Sequence, residues 1–472
     1  MPGRSLPPSS SRVAVALAAV AAALISVASG GLAGCSVTND GANPPTDELY
    51  FPVALALSPA ETGEAPAFLY VANANFDLRY NAGTVQAFDL EKITEEIPDD
   101  CDDCVLAPLG DSLVSSVRIG SQAGALAVAP AGDRLFVPVR EDRNLTTINV
   151  DPASGVLACG GTADGHECSG AFRSVDIGGD GEAVSLGGEI VDVHVGPLAD
   201  LGLEADVSGD YLFAVHRSGQ ITLLSDRVEA GTASLTDRRV PRTVASLPTA
   251  DRQLASVRFD VADGLAWVTN ARNRTVARFG VAADRVESEE LFAQLYAAST
   301  PVVSGVDSGS DTRDVVFEDF SDGSKRAYLL SRDPAAVLVA DFNAADNARL
   351  RVSRVIAVGQ GPSKLESARV TIRGEERLLL FASCYTSRDV YVVDPTAGGV
   401  LAVIRGANGP FSLAYDGARQ RLYVADFRAA VIRVVSLVPL LDCLETGLAD
   451  AAACEPVALG TIGEPNVIGD SF

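Results

Sequence analysis

Pro410-Phe411-Ser412-Leu413-Ala414-Tyr415-Asp416-Gly417, then Arg421-Leu422-Tyr423-Val424-Ala425-Asp426, then Val431-Ile432-Arg433-Val434-Val435, is the stretch on which the fold reading turns. Apolar and β-branched residues alternate with a period of two, which is the signature of strands. Asp416-Gly417 between the first two runs is a hairpin signal, because a tight turn needs residues that accept positive φ. The stretch therefore reads as three successive antiparallel strands joined by short turns.

Working outward, the second of these strands recurs along the chain. Its copies begin Leu69-Tyr70-Val71-Ala72-Asn73, Leu135-Phe136-Val137, Leu212-Phe213-Ala214, Ala266-Trp267-Val268-Thr269-Asn270, Ala327-Tyr328-Leu329, Leu379-Leu380-Phe381 and Leu422-Tyr423-Val424. With anchors at 70, 136, 213, 267, 328, 380 and 423, the spacings are 66, 77, 54, 61, 52 and 43 residues. The shortest is near the ~40–50 residues of a four-stranded propeller blade, and longer ones leave room for inserted loops. Such a sheet cannot bury both faces alone, whereas blades packed in a ring do so and leave no long edge exposed. The expectation is an all-β chain: one β-propeller of seven four-stranded blades, with residues 456–462 as its last outer strand.

Trp267-Val268-Thr269-Asn270 followed by Asn273-Arg274-Thr275-Val276, and Tyr70-Val71-Ala72-Asn73, resemble the YVTN-type β-propeller repeat. The resemblance covers roughly residues 50–463 and is weakest in the third and fifth copies. Some YVTN-like propellers resemble lactonases that take substrate at a central mouth. The resemblance thus implies a hydrolase as one reading, with arginines, His216, Asp426 and Glu366 as groups that could converge there.

The N-terminus indicates an exported protein. Arg4 and Arg12 precede an apolar, alanine-rich run over residues 13–28, which reads as an export signal and falls short of the ~20 residues of a membrane span. It ends in Leu32-Ala33-Gly34-Cys35, which resembles the lipobox of bacterial lipoproteins. Residues 1–34 are then a signal peptide and Cys35 the lipid attachment site. Residues 35–48 form a tether and 49–472 the propeller. The alternative is an ordinary secretory signal with a chance cysteine. Ser36 after the cysteine resembles outer-membrane sorting, with the protein facing the periplasm or the cell surface.

The formal charge of the chain is −25, and loss of the leader's two arginines takes it to −27. So acidic a body repels nucleic acid and bare anionic lipid. An oxidising compartment permits disulfides, and proximity pairs Cys101 with Cys104, Cys159 with Cys168 and Cys443 with Cys454. Zinc at Cys101-Asp102-Asp103-Cys104 is the rival for the first pair. Cys384 is left over and reads as a small buried hydrophobe.

In a propeller, loops after the second strand share a face with the loops entering each blade, while loops after the first and third strands share the other. All three cysteine pairs read as following a third strand. The arginine-bearing loops read as following the second: Arg79, Arg140, Arg143, Arg217, Arg272, Arg274, Arg332, Arg388 and Arg428, with Arg313 and Lys364 near entry loops. Arginine forks bind carboxylate and phosphate bidentately, so this series is the candidate anion-binding site. Neighbouring aspartates could instead neutralise it. His166, His194 and His216, and carboxylates at Asp307, Asp311 and Asp314, are weaker metal candidates, and no metal or cofactor is assigned. No nucleophile elbow, phosphate loop or haem-attachment motif is present. The leading expectation is a non-catalytic envelope scaffold binding an anionic glycan, envelope polymer or protein partner. The lactonase-like hydrolase is the alternative.

Overall fold

A strand flanked by sheets on both sides must bury both of its side-chain rows, and successive residues must then serve opposite neighbours. The computed structural model shows this arrangement seven times. It describes residues 41–472 except 62, 98–104, 107–110, 161–165, 177–182, 185, 187, 204–207, 227–239, 288–289, 306–310, 321–323, 343–348, 448–453 and 466–472. The seven sheets are the blades of a β-propeller, each with a core of four antiparallel strands in chain order. Residues 43–472 form one compact unit. Residues 1–34, with the leader, and Cys35, Cys101, Cys104 and Asp307 lie outside the described residues.

The second strands are Phe68–Asn73, Arg134–Val139, Asp210–His216, Leu265–Asn270, Lys325–Arg332, Glu375–Cys384 and Arg421–Asp426. Each traced copy thus falls in the second strand of its own blade. Seven apolar clusters lie between them. Leu69 and Val71 pack with Tyr423 and Ala425, joining blades 7 and 1, while Tyr70 and Ala72 pack with Leu135 and Val137, joining 1 and 2. Phe136 then meets Leu212, Phe213 meets Ala266, Trp267 meets Ala327, Tyr328 meets Leu380 and Phe381 meets Leu422.

The phase of these contacts corrects one anchor. The other six anchors face the following blade, yet Leu380 faces the preceding one and Phe381 the following one. Blade 6 is therefore anchored by Phe381. The anchors are then aromatic throughout: Tyr70, Phe136, Phe213, Trp267, Tyr328, Phe381 and Tyr423, each 0% exposed. Aromatic rings suit this position because they carry the largest apolar area available to a single site.

Each blade is one continuous segment, so the ring closes without an exchanged strand in its four-stranded core. The innermost strands of blades 1 and 7, Pro52–Leu57 and Pro410–Asp416, meet directly, and Leu55 N donates to Ser412 Oγ at 3.1 Å. A short strand from the blade 1 insertion, Val105–Leu106, pairs in parallel with Thr461 and Ile462 on the outer strand of blade 7, Val457–Ile462. That outer strand is where the sequence placed it. On blade 1, Gln86 Nε2 donates to the carbonyls of Thr46 and Glu48 at 3.0 and 3.1 Å, which holds the approach to the first strand.

Cys159–Cys168 and Cys443–Cys454 are disulfides. The second lies between the third and fourth strands of blade 7, as expected. The first does not follow a third strand. It begins after Leu157–Ala158, the fourth strand of blade 2, because a tight turn joins that strand to Asn144–Val150 and the pairing is complete before Cys159. A connection after a fourth strand shares the face of the arginine-bearing loops. The two described disulfides therefore lie on opposite faces. Cys384 is a buried free thiol, and burial pushes its pKa up to about 12.

Candidate binding site at the channel mouth

Counting from each aromatic anchor locates the site. Three residues on stand Asn73, Val139, His216, Asn270, Ser331, Cys384 and Asp426, all at most 1% exposed. Four residues on stand Ala74, Arg140, Arg217, Ala271, Arg332, Tyr385 and Phe427, and all seven line one central cavity of about 690 Å³. The strand's period of two turns one position into the blade packing and the next into the mouth.

The seven positions divide the mouth into two arcs. Blades 2, 3 and 5 contribute Arg140, Arg217 and Arg332, and the start of the inner strands adds Arg313 and Lys364. Blades 6, 7 and 1 contribute Tyr385, Phe411, Phe427 and Phe76. Phe427 is the hub of this second arc, with ring centroids 5.6 Å from Phe76, 5.9 Å from Tyr385 and 5.9 Å from Phe411. Phe427 itself is 8% exposed, whereas Phe76 is 44% exposed.

The cations differ in how they are neutralised. Arg313 is paired with Asp311 through Nη2 at 2.7 Å, and Arg217 lies 3.5 Å from Glu189. Arg332 bonds only neutral oxygens, Pro362 O at 2.6 Å and Ser363 Oγ at 3.3 Å. Among the described residues Arg140 has no hydrogen-bond partner at Nε. Neither Arg140 nor Arg332 has a carboxylate within ion-pair distance among the described residues. Burial and the neighbouring Arg217 lower the pKa of Arg140 against the opposing charge of Glu189, and burial and Arg313 lower that of Arg332 against Asp311. These are two pairs of like charges held together, an arrangement that an anion would relieve.

Below the mouth, inner-strand side chains form an ionic chain across four blades. Arg258 of blade 4 bonds Asp192 of blade 3 at 2.9 Å and Asp314 of blade 5 at 3.0 Å. Lys364 of blade 6 lies 3.3 Å from Asp314. The carboxylates also pin backbones: Asp192 accepts from Val257 N at 3.0 Å and Asp314 from Leu365 N at 3.3 Å. Burial opposes charge on Asp314, but Arg258 and Lys364 prevail and hold its pKa below the ordinary value. Two cations and two carboxylates balance here.

Glu366 and His194 line the same cavity. Burial inside the ring pushes Glu366 up to about 7, tempered by Lys364 and Arg258. The half-buried side chain still opens onto the cavity. Burial, with Arg258 beside it, pushes His194 down to about 3, so it is neutral at pH 7. A carboxyl whose folded pKa lies above its unfolded value stabilises the fold fully below the unfolded value. That contribution is lost as pH rises through the folded value. Wild-type stability is therefore expected to carry a downward component between about pH 4.5 and 7 that Glu366→Gln removes. Urea midpoints across that range check it, and parallel curves would refute the shift.

Of the sequence candidates, Arg140, Arg217, Arg313, Arg332 and Lys364 line the cavity. Arg79, Arg143, Arg272, Arg274, Arg388 and Arg428 do not. Arg143 and Arg388 occupy left-handed turn positions, φ 53° and 66°, and Arg79 pairs with Asp77 at 3.4 Å. Arg428 supports the site from outside: its Nε donates to Tyr385 Oη at 2.9 Å. His216 bonds Thr222 inside blade 3, and Asp426 binds Arg433 and Asn408 N inside blade 7. Of the groups the hydrolase reading gathered, four of the arginines and Glu366 reach the channel, and His194 lines it where His216 does not. Asp311 and Asp314 are committed to separate ion pairs, and no cluster of three metal-ligating side chains occurs among the described residues.

The aromatic arc and the Asp192–Arg258–Asp314 chain were missed. Counting four from each anchor finds the Tyr385 and Phe427 of the arc, but the ionic chain crosses blades and leaves no local pattern.

No model of a known protein family matches this chain, and no curated protein matches it. Solved structures do. A candidate 6-phosphogluconolactonase from Bacteroides fragilis is 14% identical, with a TM-score of 0.49 over 86% of this chain and 98% of its own. A second, from Bacteroides uniformis, is 14% identical, with a TM-score of 0.44 over 76% and 84%. Kuenenia stuttgartiensis hydrazine synthase is 12% identical, with a TM-score of 0.45 over 84% and 97%. At such identities the likeness concerns the propeller fold alone.

Proposed function

We propose that this chain is a lipid-anchored propeller of the bacterial cell envelope, of the YVTN repeat type, acting as a binding scaffold whose channel mouth takes an anionic ligand. Cys35 carries the lipid, and the protein resides at the outer membrane, facing the periplasm or the surface. The observation that carries the binding reading is the ring of equivalent positions placing Arg140 and Arg332 at one cavity without carboxylate partners. In a chain of charge −25, two cations left unneutralised at a shared opening are sites for an external anion. Its chemistry is a carboxylate or phosphate, which the guanidinium fork fits.

The test is retention of soluble residues 36–472 on the cell-envelope fraction. Retention should fall as salt rises, because exposed charges are screened over about 8 Å at physiological ionic strength. Arg140→Gln with Arg332→Gln should weaken it about tenfold or more, taking each charge-assisted bond at roughly 1.5–3 kcal/mol. Retention that ignores both salt and the double variant would reject this reading.

A second reading rests on Glu366. A carboxyl with a pKa of about 7 beside a cationic mouth is suited to general acid–base work on an ester or lactone. Lactone hydrolysis abolished in Glu366→Gln with the fold intact would favour a hydrolase. Its absence in the wild type would leave the scaffold.

A further inference from the structure

The two arcs specify more than charge. A site for a bare anion has no use for four aromatic rings along its other side, and a purely apolar site would not hold unneutralised arginines. Phe76 is 44% exposed and lines the cavity with Tyr385, Phe411 and Phe427, so its open ring is part of a contiguous aromatic face. The buried rings of Phe427, at 5.6 Å, and Phe51, at 6.3 Å, hold it there and leave its remaining surface open. Tyr385 is held in place by Arg428 Nε at 2.9 Å, with the guanidinium also 4.9 Å over its ring. Phe411 stands perpendicular to Tyr385 at 6.4 Å. This is a built aromatic wall, and the ring order sets it across from Arg217, with Arg140 and Arg332 on the blades at its two ends.

Resting on the reading that the mouth binds anions, we infer that its ligand class is a small amphipathic anion: a carboxylate or phosphate joined to a flat apolar ring. The anionic end meets Arg140, on the blade next to that of Phe76, and the ring lies against Phe76. The cavity of about 690 Å³ is within the range that encloses most of such a molecule. Offset or edge-to-face packing of its ring on the wall adds to the ionic contact.

The full chain in detergent is titrated calorimetrically with naphthalene-2-carboxylate, acetate and naphthalene-2-carboxamide. These separate ring plus charge, charge alone and ring alone. The wild type should bind the naphthoate at least about tenfold more tightly than either of the others, a difference of about 1.4 kcal/mol. Phe76→Ala changes an exposed side chain, so the fold is kept, and it should bring naphthoate within about threefold of acetate. Arg140→Gln with Arg332→Gln should bring naphthoate down to the carboxamide. Equal binding of naphthoate and acetate would overturn the inference while leaving the anion site. Equal binding of naphthoate and carboxamide would overturn both, as would no binding by either anion.

Discussion

Asp314→Ala is expected to lower the unfolding free energy by about 3–5 kcal/mol, the range for removing one partner of a buried ion pair. Asp314 is 0% exposed, and it serves three groups from two other blades: Arg258 at 3.0 Å, Lys364 at 3.3 Å and Leu365 N at 3.3 Å. Alanine leaves two cations facing each other in the channel and an amide without an acceptor. Asp314→Asn should cost less, because one oxygen still accepts from a backbone N–H. The sign with pH follows from the depressed pKa of Asp314. Its stabilisation is present above the unfolded value, near 4, and is lost as pH falls through the lower folded value. Urea midpoints of wild type and variant should therefore be far apart at pH 7 and converge below about pH 4. A loss under about 1 kcal/mol at pH 7, the worth of an ordinary surface pair, would show that the ionic chain does not bind the blades together.

This chain also bears on what the sequence could disclose. The ring was legible because each blade repeats one strand in which alternate positions must serve opposite neighbours, and Tyr70, Trp267 and Tyr423 mark its phase. The phase failed at Leu380 because Leu378, Leu379, Leu380 and Phe381 are all buried. A strand buried on both faces reads as a continuous apolar run without a visible alternation. The same one-residue ambiguity explains the site candidates. His216 and Asp426 each lie one position before a mouth residue, Arg217 and Phe427, and that single step moves a side chain from the cavity into the packing. Arginine was readable by type, and five of the candidate cations reach the mouth. Arg143 and Arg388 share the loops but sit at left-handed corners. Asp192, Arg258 and Asp314 were beyond reach because their partners are 66 and 56 residues apart, and only ring closure brings them together.

Trp267→Ala is the second large effect, at about 3–5 kcal/mol for a fully buried aromatic cut to alanine. Trp267 is 0% exposed. It lies 4.9 Å from Phe317 and 5.5 Å from Phe342 in the interface of blades 4 and 5, with Arg278 at 5.1 Å over its ring. Its Nε1 has no hydrogen-bond partner among the described residues, so the indole serves here through its apolar area and its face towards Arg278. Trp267→Phe gives up some of that area but also removes an unpaired buried donor, and should cost only about 1–2 kcal/mol. Far-UV circular dichroism in urea is the readout, because the variants lose the only tryptophan in the chain. Tyr423→Ala makes the equivalent change where the last blade meets the first. That junction has the same alternating packing and no strand exchanged between the four-stranded cores of the two blades. Its loss should fall in the same range of about 3–5 kcal/mol. A far larger loss at Tyr423 alone would mean that the ring depends on a latch at its seam. Similar losses at both sites would mean that closure is one more blade interface, held by the same aromatic position as the others.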